Sequence, residues 1–537
     1  MMELIDFLAY LLVITQLLML VAGIGFLISG LDDLFIDIVF VLRSLYRKSF
    51  LLSRFPKVGE QQLNEMPEKP LAVMIPAWDE SAVIGNMLRH TLRTMRYTNF
   101  TIFVGVYPND HATIKEVDAL CRESTYVKKI VTSHPGPTNK ADCLNHIFRG
   151  IVDSEQESGL RHQIFVMQDC EDVIHPFCYK LFNYLIPRKD MVQLPVEGLN
   201  SGWYKLTAGH YLDEFAQSHY KDMVVREALG GGLPAAGVGS AFSRRAMEAL
   251  ASNREVEPFS TDSLTEDYEF GFRIHELKLK QAFVRFSLPR TAMIDGRMVK
   301  RREVLSVREY FPDNPKSSIR QKSRWVLGIA LQGWASIGWR GGLATRYMLF
   351  RDRKAIFTNL LNMVGYLIVF VTLGILMLES LALDSLQFPS VVEPGSVLWF
   401  LLVINLALFV ERIAMRAFCV FQVHGPLQAL LSFPRMIWGN VINFCATCRA
   451  LWLYGRHLLA GHRLHWDKTH HRFPEALSLT GFSRRIGDVL LDQNLITAAQ
   501  LAQALDRQQT DKKPLGELLT EMGFVSRQQI SEALMVR

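Results

Sequence analysis

The chain has 537 residues, 49% of which are hydrophobic, and a formal net charge of +6. This length exceeds one ordinary domain, and so high an apolar content indicates a membrane component. The Lys and Arg residues form no long runs, which argues against nucleic acid as a partner. The seven cysteines show no regular spacing, and Cys445 and Cys448 have no second CxxC with which to bind zinc. The sequence therefore predicts a membrane-associated protein with reduced thiols.

Three apolar segments are about as long as the bilayer core requires, and we predict transmembrane helices at residues 4–30, 355–379 and 397–420. Arg43 and Arg47 follow the first segment, and basic residues also flank the other two. The positive-inside rule then puts the region between the first two spans in the cytosol. A fourth apolar segment, residues 425–455, is interrupted by Pro434 and by arginines, which favours an interfacial helix over a span.

The region between the first two spans has the mixed character of an α/β domain. Short β-branched and aromatic segments at 71–75, 101–107 and 164–167 each end at polar residues and precede a helix-like pattern. This alternation predicts a parallel sheet with ligands at the carboxyl ends of its strands. The complete predicted order adds a juxtamembrane segment at 31–68, the α/β domain at 69–300, interfacial helices at 301–350, a linker at 456–482 and a small domain at 483–537.

Candidate catalytic residues follow the predicted strands and loops of the α/β domain. The acidic ones are Glu80 in PAWDE, Asp110 in VYPND, Asp169, Glu171 and Asp172 in MQDCED, and Asp267 in TED. Gln321, Arg324 and Trp325 of QKSRW come next, just before the membrane spans resume. This order and spacing resemble the processive family-2 glycosyltransferases, which include cellulose and hyaluronan synthases. The resemblance implies an α/β GT-A-type glycosyltransferase domain inserted between transmembrane helices and a hexosyl transfer that inverts the anomeric configuration.

By this resemblance, Asp169 and Glu171 occupy the metal-binding DxD position. Their oxygens would hold Mg²⁺ or Mn²⁺, which offsets the charge of the departing diphosphate. The second acid is Glu in place of Asp, and the sequence leaves open whether Glu171 or Asp172 completes the metal site. A solvated acidic turn is the alternative interpretation.

Asp267 corresponds to the base that removes the proton of the acceptor hydroxyl. Taken alone, TED is better explained as the N-terminal cap of the helix that follows it, but its place between the metal motif and QxxRW favours the base. Gln321 and Arg324 can donate hydrogen bonds to the diphosphate or the acceptor, and Trp325 offers a face on which a sugar stacks. The residues that match contacts to a UDP-sugar donor are Trp78, Glu80, Asp110 and Lys140.

Two other features allow more than one interpretation. Gly237 and Gly239 either let the backbone approach the bound sugar or form a simple tight turn. Asp467, His470 and His471 in WDKTHH suggest metal ligands at first sight, but the adjacent histidines would point apart. A linker at the membrane surface is the better prediction for that segment, and a gating role is a further hypothesis.

The last residues of the chain contain an internal repeat. The segment 484–508 is echoed by 514–537, pairing Gly487 with Gly516, and predicts a small all-α domain of two repeated helical hairpins. The repeat resembles the cyclic di-GMP-binding motif pair at the N-terminus of some type II secretion ATPases, which implies an allosteric activator site. Leu490, Leu491, Leu495 and Ile496 would cover the guanine faces, and Arg485 would reach phosphate or base edges. The remaining implied contacts are Ile486, Gly487, Leu501, Leu505, Gln508, Leu515, Gly516 and Leu519.

The second half of the repeat departs from the motif. Pro514 replaces an arginine, and Arg537 stands where a glutamine is expected. A helical docking module without a ligand is the alternative.

Features along almost the whole chain resemble the inner-membrane phage-adsorption protein B family, from GLDDLFIDIV and PAWDE through PGPTNKADCLN and REYFP to RQKSRW and WDKTHHRFP. That resemblance implies a multi-pass protein of the bacterial inner membrane with cytosolic catalytic and regulatory domains. It also implies a polymerised and exported envelope polysaccharide of the N-acetylhexosamine type, on which phages adsorb.

The expected partners are a UDP-sugar, the growing glycan, cyclic di-GMP, membrane lipid and an outer-membrane export or receptor protein. Since three spans are few for a channel, a homo-oligomer or partner protein is expected to complete the path. Two alternatives stay open at this point: a transferase that adds one sugar to a lipid, and a non-catalytic scaffold of a phage receptor or secretion system.

Overall fold

The computed structural model describes residues 2–55, 58–252, 257–294, 297–381, 390–461, 472–474, 485–511 and 513–536. Asp467, His470, His471 and Arg537 lie outside the described residues, as do Arg484 and most of the predicted linker. The seven cysteines all lie inside them and form no disulfide.

The N-terminal helix α1 spans Met2–Tyr46 and continues through a π-helical turn, Arg47–Leu51, into the short α2, Leu52–Arg54. The predicted span ended at residue 30, and the helix runs further because no proline interrupts it. At 1.5 Å per residue, the helix is more than twice as long as the hydrocarbon core is thick. Its second half therefore extends beyond a bilayer, where Asp33 forms ion pairs with Arg351 and Lys354 at 3.2 and 3.0 Å.

A seven-stranded sheet with the order β3-β2-β1-β4-β8-β6-β9 forms the centre of the α/β domain. Two smaller sheets contain β10-β11 and β5-β12-β7. The strands are β1 Leu71–Pro76, β2 Phe100–Val106, β3 Val127–Val131, β4 Ile164–Met167, β5 Val173–Ile174, β6 Met191–Gln193, β7 Val196–Gly198, β8 Ser240–Ser243, β9 Gln281–Phe283, β10 Ser287–Ile294, β11 Arg297–Val304 and β12 Val307–Glu309.

The predicted strands at 71–75, 101–107 and 164–167 are present, and β3, β2, β1 and β4 pair in parallel. The predicted parallel sheet holds for these four strands, but the sheet as a whole is mixed, because β8 runs antiparallel to both of its neighbours, β4 and β6. The four residues of β8, SAFS, contain no information on strand direction, which is decided by the helical connection that precedes them. The domain is therefore an α/β domain with a mixed sheet.

Helices cover both faces of this sheet. Along β1, Leu71, Val73 and Ile75 belong to one buried cluster, whereas Ala72 and Met74 belong to another on the opposite face. The helices are α3 Glu60–Glu65, α4 Ile84–Thr94, α5 His111–Glu123, α6 Lys140–Ser158, α7 Cys178–Leu185, α8 Leu206–Gln217, α9 Met223–Ala228, α10 Arg244–Ser252, α11 Glu266–Glu276, α12 Pro315–Trp325 and α13 Gly333–Ser336. Two π-helical segments, Ser218–Asp222 and Val326–Gln332, join neighbouring helices.

Three long helices follow: α14 Leu343–Leu381, α15 Val397–His424 and α16 Pro426–Ala460. Among the described residues, three helices are long and apolar enough to cross a membrane, with segments Ala9–Arg54, Leu343–Leu378 and Val397–His424. Helix α16 continues through Pro434, and its interfacial location stays a prediction. Its fully buried Arg435 forms a two-pronged ion pair with Asp213 of α8, at 3.0 and 2.7 Å, which attaches the helix to the α/β domain.

The C-terminal repeat forms two helical hairpins, as the sequence predicts. Their helices are α17 Ile486–Asp492, α18 Ala498–Asp511, α19 Leu515–Glu521 and α20 Arg527–Val536. Equivalent positions of the two halves, Leu490 and Leu519, are fully buried in one shared core. Neither hairpin could bury this core alone, so the two form a single unit, called the C-terminal module below.

Candidate active site

A cavity of about 440 Å³ opens at the carboxyl ends of β1, β2 and β4. It is lined by nearly all the residues predicted for the donor and for catalysis: Trp78, Glu80, Lys140, Asp169, Glu171, Asp267, Gln321, Arg324 and Trp325. Asp110 is the exception, since it lies behind the cavity wall. Its carboxylate caps α5 and accepts the Asp79 N–H at 2.5 Å and the Thr113 N–H at 3.2 Å. Asp110 therefore shapes the loop that carries Trp78 and Glu80.

The acidic cluster after β4 divides into two members that line the cavity and one that lies behind its wall. Asp169 lies in the cavity, where its Oδ1 is 2.6 Å from Lys140 Nζ, and Glu171 also lines the cavity wall. Asp172 is completely buried, and its Oδ2 accepts the backbone N–H of Asp169 at 2.8 Å. Burial, with Asp169 nearby, raises the pKa of Asp172 well above its usual range. The geometry thus makes Glu171 the better candidate for the second metal ligand, and Asp172 supports the turn from behind.

The donor set fits a hard divalent cation. Among the described residues, no group of three or more His, Cys, Asp or Glu side chains is arranged to hold a metal ion. Two carboxylates are nevertheless the usual protein share of a Mg²⁺ site that substrate phosphates complete. Asp169 and Glu171 would hold such an ion beside Lys140, whose ammonium already neutralises part of their charge.

Asp267 lies in the first turn of α11 and faces the cavity. Thr265 of TED occupies the N-cap position, so the motif does begin the helix, but Asp267 also lines the cavity, which capping alone does not explain. The Asp267 carboxylate accepts the Tyr268 N–H at 2.7 Å. Burial raises its pKa above the usual value, although Lys140 opposes that shift. Burial also raises the pKa of the neighbouring Glu266 to about 8, with Asp267 as the next contribution.

Gly237 brings the backbone against the two charged groups at the centre of the site. Its φ of +77° is in the left-handed region, which favours glycine. A Cβ there would lie 2.6 Å from Asp267 Oδ2 and 3.1 Å from Lys140 Nζ. Gly239, with φ +61°, instead packs against Val307, so it serves the fold beneath the site.

Aromatic residues form another part of the cavity wall. Phe215 and Phe311 also line the cavity, with ring centroids 4.5 Å apart, and the Trp325 ring lies 6.1 Å from that of Phe215. Glu214 and Glu309 add carboxylates to the same wall. Sequence reasoning missed these residues. The REYFP motif that contains Glu309 and Phe311 was a usable signal, whereas nothing in the segment around Glu214 marked it.

The helix that begins with TED is held by the segments that lead into the membrane helices. Gln332 accepts the Leu264 N–H at 3.1 Å and donates to the Asp262 carbonyl at 3.2 Å. Tyr268 donates its hydroxyl proton to Asp352 of α14 at 2.6 Å. The position of Asp267 is therefore set jointly by the α/β domain and by α14.

Comparison with known proteins agrees with this fold and site. Residues 67–328 match the family described as "Glycosyltransferase like family 2". The fold and the site thus define a glycosyltransferase. Over 512 residues the chain is 41% identical to bacteriophage adsorption protein B of Escherichia coli (strain K12), covering 94% of this chain and 68% of that protein. Bacteriophage N4 adsorption protein B of Escherichia coli O157:H7 matches with the same identity and coverage.

The chain belongs to the bacteriophage adsorption protein B family. Among solved structures, a mannosyltransferase from Pyrobaculum calidifontis in complex with GDP-Man and Mn²⁺ is similar over 80% of this chain and 98% of its own, at 12% identity and a TM-score of 0.47. With its three apolar helices, the protein is a membrane-associated glycosyltransferase.

The residues expected to contact cyclic di-GMP are divided between the core and the surface of the C-terminal module. Leu490 and Leu519 are fully buried and Ile496 is 4% exposed, so these three pack helices together and do not present a face to a guanine. Gly487 permits close packing, because a Cβ there would lie 2.7 Å from Leu501. The partly buried members are Ile486, Leu491, Leu495, Leu501 and Leu515.

The more accessible members are Arg485 and Leu505, the latter 43% exposed. Gln508 donates to the Lys513 carbonyl at 2.8 Å, which closes the connection between the hairpins. Gly516 has more room than Gly487, since its nearest contact would be Ile530 at 3.1 Å. Of the four residues expected to cover the guanine faces, Leu490 and Ile496 belong to the core of the repeat itself, and the contacts to cyclic di-GMP stay a prediction.

Proposed function

We propose that this protein is an inverting hexosyltransferase of the bacterial inner membrane that polymerises and exports an envelope polysaccharide. The donor is a UDP-sugar of the N-acetylhexosamine type, cyclic di-GMP is the activator, and the product is a surface on which phages adsorb. The observation that carries the proposal is one cavity with a partly buried carboxylate, Asp267, next to the cluster of Lys140, Asp169 and Glu171. Such an arrangement provides a base on one side of a sugar and counter-charges for a diphosphate on the other.

In this proposal, the donor lies with its base against Trp78 and its diphosphate near Lys140. The acceptor hydroxyl attacks the anomeric carbon, Asp267 takes the hydroxyl proton, and the bond from that carbon to the diphosphate oxygen breaks. A divalent cation on Asp169 and Glu171 would supply electrostatic stabilisation of the UDP that leaves. Arg324 adds hydrogen-bond donors on the same side of the cavity.

The aromatic wall supports an oligosaccharide acceptor, since flat rings are surfaces on which sugars stack. The QKSRW helix, α12, is fastened to α16 through Arg449, which donates to Ser323 at 2.6 Å, and through Lys322, which donates to Asn443 at 2.8 Å. An acceptor against Trp325 would therefore extend toward the long helices. This proximity favours export over transfer of a single sugar to a lipid. The small number of candidate spans supports a homo-oligomer or an export partner.

The test is UDP release by membranes that contain the full chain, incubated with a panel of UDP-sugars. We expect release with one N-acetylhexosamine donor, loss of release in EDTA, and recovery with Mg²⁺ or Mn²⁺. Addition of cyclic di-GMP should raise the rate. A ladder of products on a gel would support a polymer, whereas a single lipid-linked sugar would contradict it.

The decisive variant is Asp267→Asn, which keeps the size of the side chain and removes the proton acceptor. We expect a loss on the order of 10³-fold in UDP release, with Asp153→Asn, an exposed aspartate of the same domain, as the unaffected control. Release by Asp267→Asn at the wild-type rate would eliminate Asp267 as the base.

A further inference from the structure

The C-terminal module contacts the α/β domain through two ion pairs. Asp488 Oδ1, in α17, lies 2.7 Å from Nη2 of Arg96, just beyond the end of α4. The two side chains are only 15% and 17% exposed. Arg485, just before α17, lies 3.0 Å from Glu60 of α3. We call the surface formed by Glu60, Arg96 and the adjoining face of α4 the docking surface.

A third contact comes from the segment between α16 and the module. Phe473 packs against Val173 of β5, and its ring centroid lies 6.0 Å from that of His90 in α4. Burial lowers the pKa of His90 to about 4, with Arg93 adding to the shift. His90 is therefore neutral near pH 7, and the contact is one between uncharged rings. The module is thus held by charge at α3 and just beyond the end of α4, and the segment that precedes it packs against α4 itself.

The elements that form the docking surface also lead to the donor site. Helix α4 begins four residues after Glu80, and Val173 directly follows Asp172. Arg96 donates its backbone N–H to the Pro176 carbonyl at 3.0 Å, and its guanidinium lies 6.0 Å from the centre of the Phe177 ring. A displacement of the module would therefore act on the two turns that hold the nucleotide and metal ligands.

We propose that the docking surface transmits the state of the C-terminal module to the donor site. The proposal rests on the proposed function in one respect, the binding of cyclic di-GMP to the module. Arg485 is both an expected ligand contact and the partner of Glu60, so the dinucleotide phosphate and the Glu60 carboxylate compete for one guanidinium. Binding of the dinucleotide weakens the Glu60 contact while Asp488 keeps its link to Arg96, and the module shifts on α4.

The first test measures docking without reference to activity, by hydrogen–deuterium exchange of the full chain in detergent. Asp488→Arg should raise exchange in α4 and around Phe177, because it puts two positive charges together. The charge-swapped double variant Arg96→Asp with Asp488→Arg should restore protection. If exchange in these segments is the same in all variants, the module does not dock there and the proposal is overturned.

The second test measures coupling with cyclic di-GMP as the probe. In the wild-type chain the dinucleotide should change exchange in α4, and Asp488→Arg should abolish that change while binding is retained. Glu60→Gln should tighten cyclic di-GMP binding by about two- to fivefold, the range expected when a partly exposed competing ion pair is removed. The coupling would be refuted if Glu60→Gln left the affinity for cyclic di-GMP unchanged. It would also be refuted if the dinucleotide bound to the wild-type chain without changing hydrogen exchange in α4.

The third test uses UDP release. Asp488→Asn should reduce the ratio of rates with and without cyclic di-GMP toward one, and Asp506→Asn, an exposed aspartate on α18, should keep the wild-type ratio. If the wild-type chain binds the dinucleotide and its rate does not change, the proposed activation fails. The hydrogen-exchange measurements then still decide whether the docking surface exists, so the two proposals fail separately.

Discussion

The active-site cavity and the C-terminal module both contain a glycine that a neighbouring side chain packs against. In the cavity the neighbours of Gly237 are charged groups, whereas in the module the neighbour of Gly487 is a leucine. A side chain at Gly237 would collide with Asp267 and approach Lys140, and one at Gly487 would collide with Leu501. Carboxyl groups in and behind the cavity, such as Glu266 and Asp172, are buried, which raises their pKa values. The module buries only apolar groups in its core and keeps Arg485 and Asp488 for contacts with the α/β domain.

This difference distinguishes a cavity built for chemistry from a core built only for stability. Burying a carboxyl group is unfavourable unless hydrogen bonds or a cation compensate it, so a fold retains such groups chiefly where chemistry needs them. Tight helix packing around a small residue is favourable in itself and says nothing of a ligand. Substitutions that add one methyl group, or remove one charge, should therefore have different consequences in the two regions.

The largest effect should come from comparing two members of the acidic cluster, Asp169 in the cavity and Asp172 buried behind it. Asp169→Asn removes a proposed metal ligand and should lower UDP release by about 10²- to 10³-fold. Asp172→Asn keeps an acceptor for the Asp169 N–H and replaces a carboxyl that burial already favours in its neutral form, so it should cost less than about tenfold. If Asp172→Asn lost more UDP release than Asp169→Asn, then Asp172 would be the metal ligand and Asp169 the residue that supports the turn.

The next effect should come from Gly237→Ala. The variant combines a positive φ with a Cβ 2.6 Å from Asp267 Oδ2, and it should lower UDP release by about 10- to 100-fold, since displacing a reacting group by an ångström has effects of this size. Gly230 is the matched control, because its φ is +74° and a Cβ there meets nothing within 4 Å. Equal losses of activity in both variants would mean that backbone strain alone, and no contact with Asp267, explains the effect.

A smaller effect concerns stability and pH. The pKa of Glu266 is raised from 4.5 to about 8 in the folded chain. Below about pH 4.5 the Glu266 carboxyl is neutral in both the folded and the unfolded chain. Between about pH 4.5 and pH 8 only the unfolded chain releases the proton, so the folded state loses stability as pH rises. The melting temperature of the wild-type chain should therefore fall between about pH 5 and pH 8. That of Glu266→Gln should fall less over the same range, and the two falls should differ by about a few degrees. Parallel curves for the two proteins would contradict the raised pKa.

The smallest effect on transfer should come from the module. Gly487→Ala should destabilise it by about 1–3 kcal/mol through overpacking against Leu501, and Gly516→Ala should do so less because its nearest contact would be 3.1 Å away. Hydrogen exchange of α17–α20 measures the loss, and UDP release without cyclic di-GMP should stay close to the wild-type rate. A large loss of that basal rate in Gly487→Ala would mean that the module supports the active site directly.

Much of the fold and the cavity could be predicted because the signals are local. The strands that carry Glu80 and Asp169 are short apolar runs that end at polar residues, and the apolar spans are defined by length alone. The direction of β8 could not be predicted in this way, because a segment of four residues, SAFS, is compatible with either direction. The roles of Glu171 and Asp172 were also ambiguous, since adjacent acids differ only in which one the turn buries.

By itself, the sequence determined the order of the motifs, the apolar helices, the repeat and the family, because periodicity and residue type are properties of short segments. Only the tertiary structure decided which residues meet. Gly237 touches Asp267, Phe215 faces Phe311, and Arg96 joins Asp488, although the members of each pair are far apart along the chain. Such contacts depend on how helices and strands pack across the whole molecule, and no local pattern in this chain encodes them.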